Sequence, residues 1–285
     1  MVTSIPLSNG LHMPQIGLGV YLVTDVAECE ASVKAALESG YRLIDTAALY
    51  RNERAVGRGI RASGVPRDEI FLTTKLWPSQ YGPQKSRVAI DECLDRLDSG
   101  YVDLLLLHQP VGDVPSAWRA LEDAVDAGKV RAIGVSNFRV DDLEKLLPTA
   151  RIAPVVDQVE LHPHWQQPAL LPYLRQHGIV PEAWYPLGHG SRKLLGEPAI
   201  VAAAAAHGIS PVQVVLRWHV QRGFVAIPKS TNPAHIAANL DVFDFALTDA
   251  EMAGIDALGT EKPMFRMPRW VMSVVMPMAR SRPLP

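Results

Sequence analysis

Two hydrophobic patterns alternate along this 285-residue chain. Short runs that are apolar on both parities occur at 41–45 (YRLID), 70–75 (IFLTTK), 102–107 (VDLLLL), 131–135 (RAIGV), 155–159 (VVDQV), 179–183 (IVPEA) and 224–227 (FVAI). Strands covered on both faces read this way. Between them the apolar positions recur at helical spacing over 28–39, 53–63, 83–97, 115–127, 141–147, 168–177, 211–221 and 233–240. Turn chemistry agrees: Ser39-Gly40 and Ala127-Gly128 stop helices, while Pro83, Pro115 and Pro168 open them. Taking QIGLGV (15–20) as a first strand gives eight strand–helix units, spaced as βα units are. The pattern predicts an α/β fold, a (β/α)8 TIM barrel, ahead of an open doubly wound sheet.

Two pieces lie outside the eightfold count. SIPLSNGLHMP (4–14) predicts an N-terminal β-hairpin around Asn9-Gly10. Beyond about residue 259 the pattern predicts an irregular C-terminal tail, with Pro268 and Pro277 interrupting any amphipathic helix. Its Phe265, Trp270 and methionines either fold over the pocket or merely cover barrel helices. No linker or low-complexity stretch divides the chain, so residues 1–285 are expected to form a single barrel domain ending in that tail.

Composition narrows the partners. A formal net charge of -2 gives no electrostatic case for nucleic acid. Cys29 and Cys93 sit in helix-like segments without a CxxC, which favours free buried thiols. The N-terminus lacks a basic start followed by an apolar core, and no apolar run approaches a membrane span. A cytoplasmic protein with no membrane partner is expected.

In such a barrel the chemistry collects at the C-terminal ends of the strands. The second strand ends in Asp45, the third in Lys75 and the fourth in His108, and Tyr50 follows Asp45 by five residues. Taken singly, each has an ordinary explanation: a helix cap, a solvated amine, a satisfied imidazole, a packed ring. Four polar groups from consecutive strands on one rim are different, because burying them without a purpose costs several kcal/mol. Together they can polarise a carbonyl and protonate its oxygen. An ammonium beside a phenol favours the phenolate, a carboxylate keeps the ammonium charged, and an imidazole can hydrogen-bond the substrate oxygen. The set lacks a hydride donor. The histidines of HPHW, His162 and His164, have no third metal ligand at familiar spacing, so no metal is expected. GLG (17–19) lacks the third glycine of a dinucleotide fingerprint.

Seven stretches, GYRLIDTAALYRNE (40–53), FLTTKLW (71–77), YVDLLLLHQP (101–110), AIGVSNF (132–138), VVDQVELHP (155–163), AWYPLG (183–188) and IPKS (227–230), resemble the aldo-keto reductases over nearly the whole chain. EAWYPLGHG and ANLDVFDFALTDAEM look most like the bacterial 2,5-diketo-D-gluconic acid reductase group. The resemblance implies an NADPH-dependent reductase of small aldehydes, ketoses or dicarbonyls, with NADH usable. Tyr50 would be the proton donor, His108 the group at the substrate carbonyl, and Lys75 and Asp45 the residues that tune the tyrosine. It also implies cofactor contacts from Ser136, Asn137, Gln158, Trp184, Leu187, Lys229, Ser230, His235 and Asn239. Tyr21, Trp77 and Gln109 would line the substrate pocket with His108, and the short loop from Val111 to Pro115 would leave the pocket open on that side.

The chain departs from the family at His235 (often Arg), Ala238 (often Glu), Gln109 (often an aromatic) and in its tail. Members are often monomers, and a monomer is expected here. A cofactor-binding redox sensor with little turnover is the competing reading, and a barrel isomerase or hydrolase the weaker one. The intact set of four speaks against the first, and the nicotinamide contacts against the second.

Overall fold

The computed structural model describes residues 3–259, 262–265 and 267–278. Strands β1 (Ser4–Pro6) and β2 (His12–Pro14) form the hairpin, paired antiparallel with Ile5 opposite Met13. The barrel strands follow as β3 (Leu18–Gly19), β4 (Leu43–Asp45), β5 (Phe71–Leu76), β6 (Val102–Leu107), β7 (Val130–Ser136), β8 (Val156–Glu160), β9 (Val180–Trp184) and β10 (Val225–Ala226). They lie in sequence order, each parallel to the next. The two edges close on each other where Gly17 N donates to Ala226 O (3.0 Å) and Ala226 N to Gln15 O (2.8 Å).

Helices α1 (Val26–Glu38), α2 (Glu53–Ser63), α3 (Pro83–Leu97), α4 (Val114–Asp126), α5 (Val140–Leu146) and α6 (Leu170–Gln176) follow β3 to β8 in turn. After β9 come α7 (Arg192–Leu195), α8 (Pro198–His207) and α9 (Pro211–Gln221). After β10 come α10 (Pro233–Leu240), α11 (Asp249–Asp256) and α12 (Arg269–Met278). The predicted barrel is therefore the observed fold. Several details differ. Helices α7, α8 and α11 are additional to the eight helical segments predicted. The first strand shrinks to two residues, because Gln15 to Gly17 only bridge to β10. Helix α6 begins after Pro168, with Ala169 as its cap. The tail is irregular only in part: Pro268 precedes α12, where a missing N–H costs nothing, and Pro277 lies within its last turn. The rest of the tail prediction, at 260, 261, 266 and 279–285, lies outside the described residues.

The alternation of a strand decides what faces the barrel axis. Leu43, Phe71, Leu104, Leu106, Val156, Val180 and Val225 share one buried interior cluster, with Leu7 and Met13 of the hairpin beneath them. Leu105 and Leu107 belong instead to the cluster between sheet and helices. Two residues beyond an inward apolar position, the same face carries Asp45, Gln158 and Glu182; four beyond Phe71 it carries Lys75, and two beyond Leu106 it carries His108. The barrel is thus apolar at its floor and ionisable one layer higher. Gly134 keeps the wall close-packed, since a Cβ there would meet Val156 O at 2.6 Å.

Candidate active site

Strand parity lifts the ionisable residues to the rim, and local bonds aim them. Lys75 is wholly buried and donates to Asp45 Oδ1 (2.6 Å), Asp45 Oδ2 (2.7 Å) and Thr46 O (2.9 Å). Burial pushes the Asp45 carboxyl up, and the ammonium on both its oxygens pulls it back. Tyr50 ends a single 3-10 turn, Ala48–Tyr50. That turn is fixed by Asn52, whose amide donates to Val20 O (2.9 Å) and Val23 O (3.1 Å) and accepts from Thr46 Oγ1 (2.8 Å). Glu53 accepts from Thr74 Oγ1 and Arg96 Nε, each at 2.6 Å, and ties the start of α2 to the sheet. Thr46, Asn52 and Glu53 of GYRLIDTAALYRNE are therefore scaffold.

The Tyr50 ring lies 5.8 Å from the His108 ring and 5.0 Å from Tyr21, centroid to centroid, with Lys75 Nζ 5.1 Å from its centroid. The expectation that the ammonium lowers the phenol's pKa does not hold in this state. The phenol is pushed well up, first by burial and next by the Asp45 charge, because the ammonium is spent on Asp45. Burial, aided by Lys75, holds the His108 imidazole well below its usual range, so it is neutral. Its Nδ1 is buried and has no partner among the described residues, which leaves Nε2 as the nitrogen that can serve the cavity.

These groups border a cavity of about 1230 Å³. Asp45, Tyr50, His108, Tyr21, Trp77 and Gln109 line it together with Ser136, Asn137, Gln158, Trp184, Leu187 and Lys229. Lys75 sits behind Asp45 and does not line it. Ser230, His235 and Asn239 do not line it either: His235 is exposed on α10, Asn239 is buried, and Ser230 Oγ accepts from Asn232 N (3.2 Å). Asn137 is fully engaged within the protein. Its amide donates to His108 O (3.1 Å) and Ser136 Oγ (3.0 Å) and accepts from Trp184 Nε1 (2.9 Å). Leu22, Asn137, Gln167, Tyr185 and His189 all line the cavity with φ between 52° and 64°, a conformation uncommon for side-chain-bearing residues. Such strain gathers where a rim is shaped for a ligand.

Several cavity features escaped the sequence reading. Tyr185 packs against Trp184 (4.8 Å) and His189 (4.7 Å), continuing the aromatic wall. The side beyond His108 is not open. Met272 and Met276 of α12 pack there on Trp77 and Val111, and Trp77 Nε1 donates to Met276 O at 2.8 Å. Arg269 pairs with Asp141 Oδ2 (2.8 Å) and with Asp142 at the start of α5. Met264 N and Phe265 N donate to the Glu160 carboxylate at 2.6 and 3.1 Å. The tail's role divides accordingly: Phe265, Met267, Met272 and Met276 line the cavity, while Trp270 is 74% exposed and does not line it. The i, i+4 spacing of Met272 and Met276 was the available signal for the helix. His162 and His164 bond Glu160 (3.2 Å) and Glu197 (2.8 Å), and no cluster among the described residues could hold a metal.

A model of the Aldo/keto reductase family matches residues 15–260. The chain is 50% identical over 270 residues to a morphine 6-dehydrogenase of Pseudomonas putida, covering 90% of this chain and 91% of that one. It is 46% identical over 260 residues to a glyoxal reductase of Bacillus subtilis, covering 91% and 94%. Among solved structures, an aldo-keto reductase from a Medee basin deep-sea metagenome library superposes with a TM-score of 0.90 at 42% identity, covering 92% of this chain and 97% of that one. A Bombyx mori aldo-keto reductase in complex with NADP superposes with a TM-score of 0.89 at 33% identity, covering 95% and 97%.

Proposed function

The chain belongs to the aldo/keto reductase family, and on that footing we propose that it reduces aldehydes and ketones of the ketose and dicarbonyl class, using NADPH, with Tyr50 as general acid. The observation that carries this reading is the meeting of the Tyr50 phenol, a neutral His108 and the Asp45–Lys75 pair at one wall of a large cavity. The cavity also fits a nicotinamide. Both amide hydrogens of Gln158 are spent on carboxyl oxygens, so its remaining acceptor is available to a carboxamide, and the Trp184 ring offers a stacking face. When bound, the dinucleotide supplies the hydride from C4 of the ring.

The chain's own residues do the rest. His108 Nε2 orients the carbonyl by a hydrogen bond to its oxygen, and Tyr50 gives that oxygen its proton. Burial keeps Tyr50 protonated until then. As negative charge develops on the phenol oxygen, the Lys75 ammonium behind the ring stabilises it, held in place by Asp45. Ser136, Gln158, Trp184 and Leu187 bind the nicotinamide half, and Asn137 joins them by holding Ser136 and Trp184 in place. Lys229, exposed at the cavity's edge, receives the 2′-phosphate with Ser230, and His235 and Asn239 serve the adenosine end. With a histidine at 235 and no arginine, NADH remains usable. Tyr21, Trp77 and Gln109 select the substrate.

The names of the glyoxal reductase and the morphine 6-dehydrogenase support dicarbonyl reduction and alcohol oxidation as the two directions of one reaction. Within the family, the 2,5-diketo-D-gluconic acid reductase group remains our choice of subgroup. We further propose that residues 1–285 act as one domain, as a cytoplasmic monomer without nucleic-acid or membrane partners. Among the described residues no single helix is long and apolar enough to cross a membrane.

The test is the loss of NADPH absorbance with a panel of plain aldehydes, hydroxyketones and dicarbonyls. Steady turnover with the oxygen-rich carbonyls is expected. A protein that binds NADPH tightly and turns over no carbonyl would sink the reading.

A further inference from the structure

Behind the cavity wall lies an acid to which the catalytic reading gives no role. Glu182 is wholly buried at the middle of β9, in register with Gln158 on β8 and with Val225 on β10. Register-matched residues of parallel strands face the same side, so the Glu182 and Gln158 side chains meet inside the barrel. Gln158 Nε2 donates to Glu182 Oε2 and to Asp45 Oδ2, both at 2.9 Å. A continuous chain results, from Lys75 through Asp45 and Gln158 to Glu182.

The chemistry of that chain fixes the amide. An ionised Asp45 can only accept, so Gln158 must present its nitrogen and not its oxygen to it. The second N–H then goes to Glu182, and Oε1 is left over for the cavity that Gln158 lines. Charge follows as well. Lys75 and Asp45 neutralise each other, and an ionised Glu182 would leave a net negative charge in a buried site. Burial first, and the Asp45 charge second, push the Glu182 carboxyl up to about 8, against the pull of Gln158 and Lys75. Its Oε1 has no partner among the described residues, a deficit that a neutral carboxyl bears more cheaply than a carboxylate.

We propose that Glu182 is a positioning residue that holds the Gln158 amide towards the nicotinamide, and that its carboxyl group, when ionised, biases the site towards the oxidised, cationic ring. The inference rests on the nicotinamide-binding reading above. The reduced ring is neutral and the oxidised ring carries one positive charge, while the rest of the dinucleotide is the same in both. A negative charge behind the ring therefore discriminates between them. By linkage, the oxidised form binds more tightly as Glu182 loses its proton, and its binding releases that proton.

The titratable groups that face Glu182 are Asp45 on β4 and Lys75 on β5, with Tyr50 beyond them; from β10 its register partner is the apolar Val225. A Glu182→Gln variant retains all three groups and the acceptor for Gln158, so the difference between wild type and variant isolates the one charge.

The experiment is equilibrium binding of NADP+ and NADPH to the full chain, read by quenching of tryptophan fluorescence, at about pH 6.5 and about pH 9.5. For wild type, the ratio Kd(NADP+)/Kd(NADPH) is expected to fall at least about fivefold between the two. Unit charges about 10 Å apart at an effective dielectric of about 20 shift an equilibrium by roughly tenfold. In Glu182→Gln the ratio should be flat. Calorimetry of wild type alone, in buffers of different ionisation enthalpy near pH 8, should show proton release on binding NADP+ and none on binding NADPH, a readout independent of any variant's folding. A wild-type ratio that ignores pH, a Gln variant that keeps the wild-type dependence, or NADP+ binding without proton release would each overturn the inference while leaving the reductase reading intact. Failure of wild type to bind either dinucleotide would overturn both.

Discussion

Tyr50 and Lys75 share one site but fail differently when altered, and the difference comes from burial. Tyr50→Phe retains the ring that packs against Tyr21 and His108 and removes only the acid. Carbonyl reduction should fall by about 10²–10⁴, the range for a lost general acid, while NADPH affinity changes little. Steady-state rates beside a fluorescence titration check this, and near-normal turnover would take Tyr50 out of the mechanism. Lys75→Met leaves Asp45 buried and unpaired, which costs roughly 3–5 kcal/mol. Lost activity in that variant is therefore ambiguous until stability is restored. The double variant Asp45→Asn, Lys75→Met removes the stranded charge. It should recover most of the melting temperature and none of the rate. Recovery of both would make the pair structural only.

At the scale of elements, what the sequence made legible was what repeats. The eight strands stood out because both parities are apolar, and His108, Lys75 and Asp45 could be placed at strand ends by counting. Glu182 was hidden by the same pattern. One acid within IVPEA looks like an interruption of a strand until parity puts it on the inner face beside Gln158. The tail was hard to read because Pro268 and Pro277 look alike as breakers: Pro268 sits just ahead of α12, where a helix tolerates it, and Pro277 interrupts only the last turn. That helix is moored at one end by Arg269 on Asp141 and Asp142, and at the other by Met276 O on Trp77. The Arg269–Asp141 pair is largely exposed and is worth about 0–1 kcal/mol, whereas Asp142 is buried, so stripping it of its guanidinium partner costs more than a surface pair does. Arg269→Ala should therefore lower the melting temperature somewhat and raise KM for carbonyl substrates more than it lowers kcat. Loss of stability with unaltered kinetics would show that α12 is packing and not part of the pocket.

For the whole molecule, the buried acid that serves the site weighs on the fold. Glu182 titrates at about 8 in the folded chain, whereas an unfolded glutamate titrates at about 4.3. Between those values the unfolded chain gives up a proton that the native state keeps. The stability contributed is full below about pH 4 and is lost as pH rises through that interval, by at most about 1.4 kcal/mol per unit. Glu182→Gln removes the slope. Its unfolding free energy, measured with urea from about pH 5 to about pH 8, should gain on wild type as pH rises; parallel curves would mean that Glu182 is ionised in the native state. The hairpin described earlier bears on a different matter, how the protein is handled. Leu7 and Met13 seal the barrel floor and Asn9 Nδ2 donates to Arg131 O at the base of β7, while α12 ends at the opposite face beside the mouth. The two ends of the described chain are therefore not equivalent as attachment points. A bulky fusion partner joined ahead of the hairpin hangs below the floor, and turnover of large and small carbonyls should be untouched. Joined after α12, it crowds the entrance and should slow large carbonyls while small ones still pass.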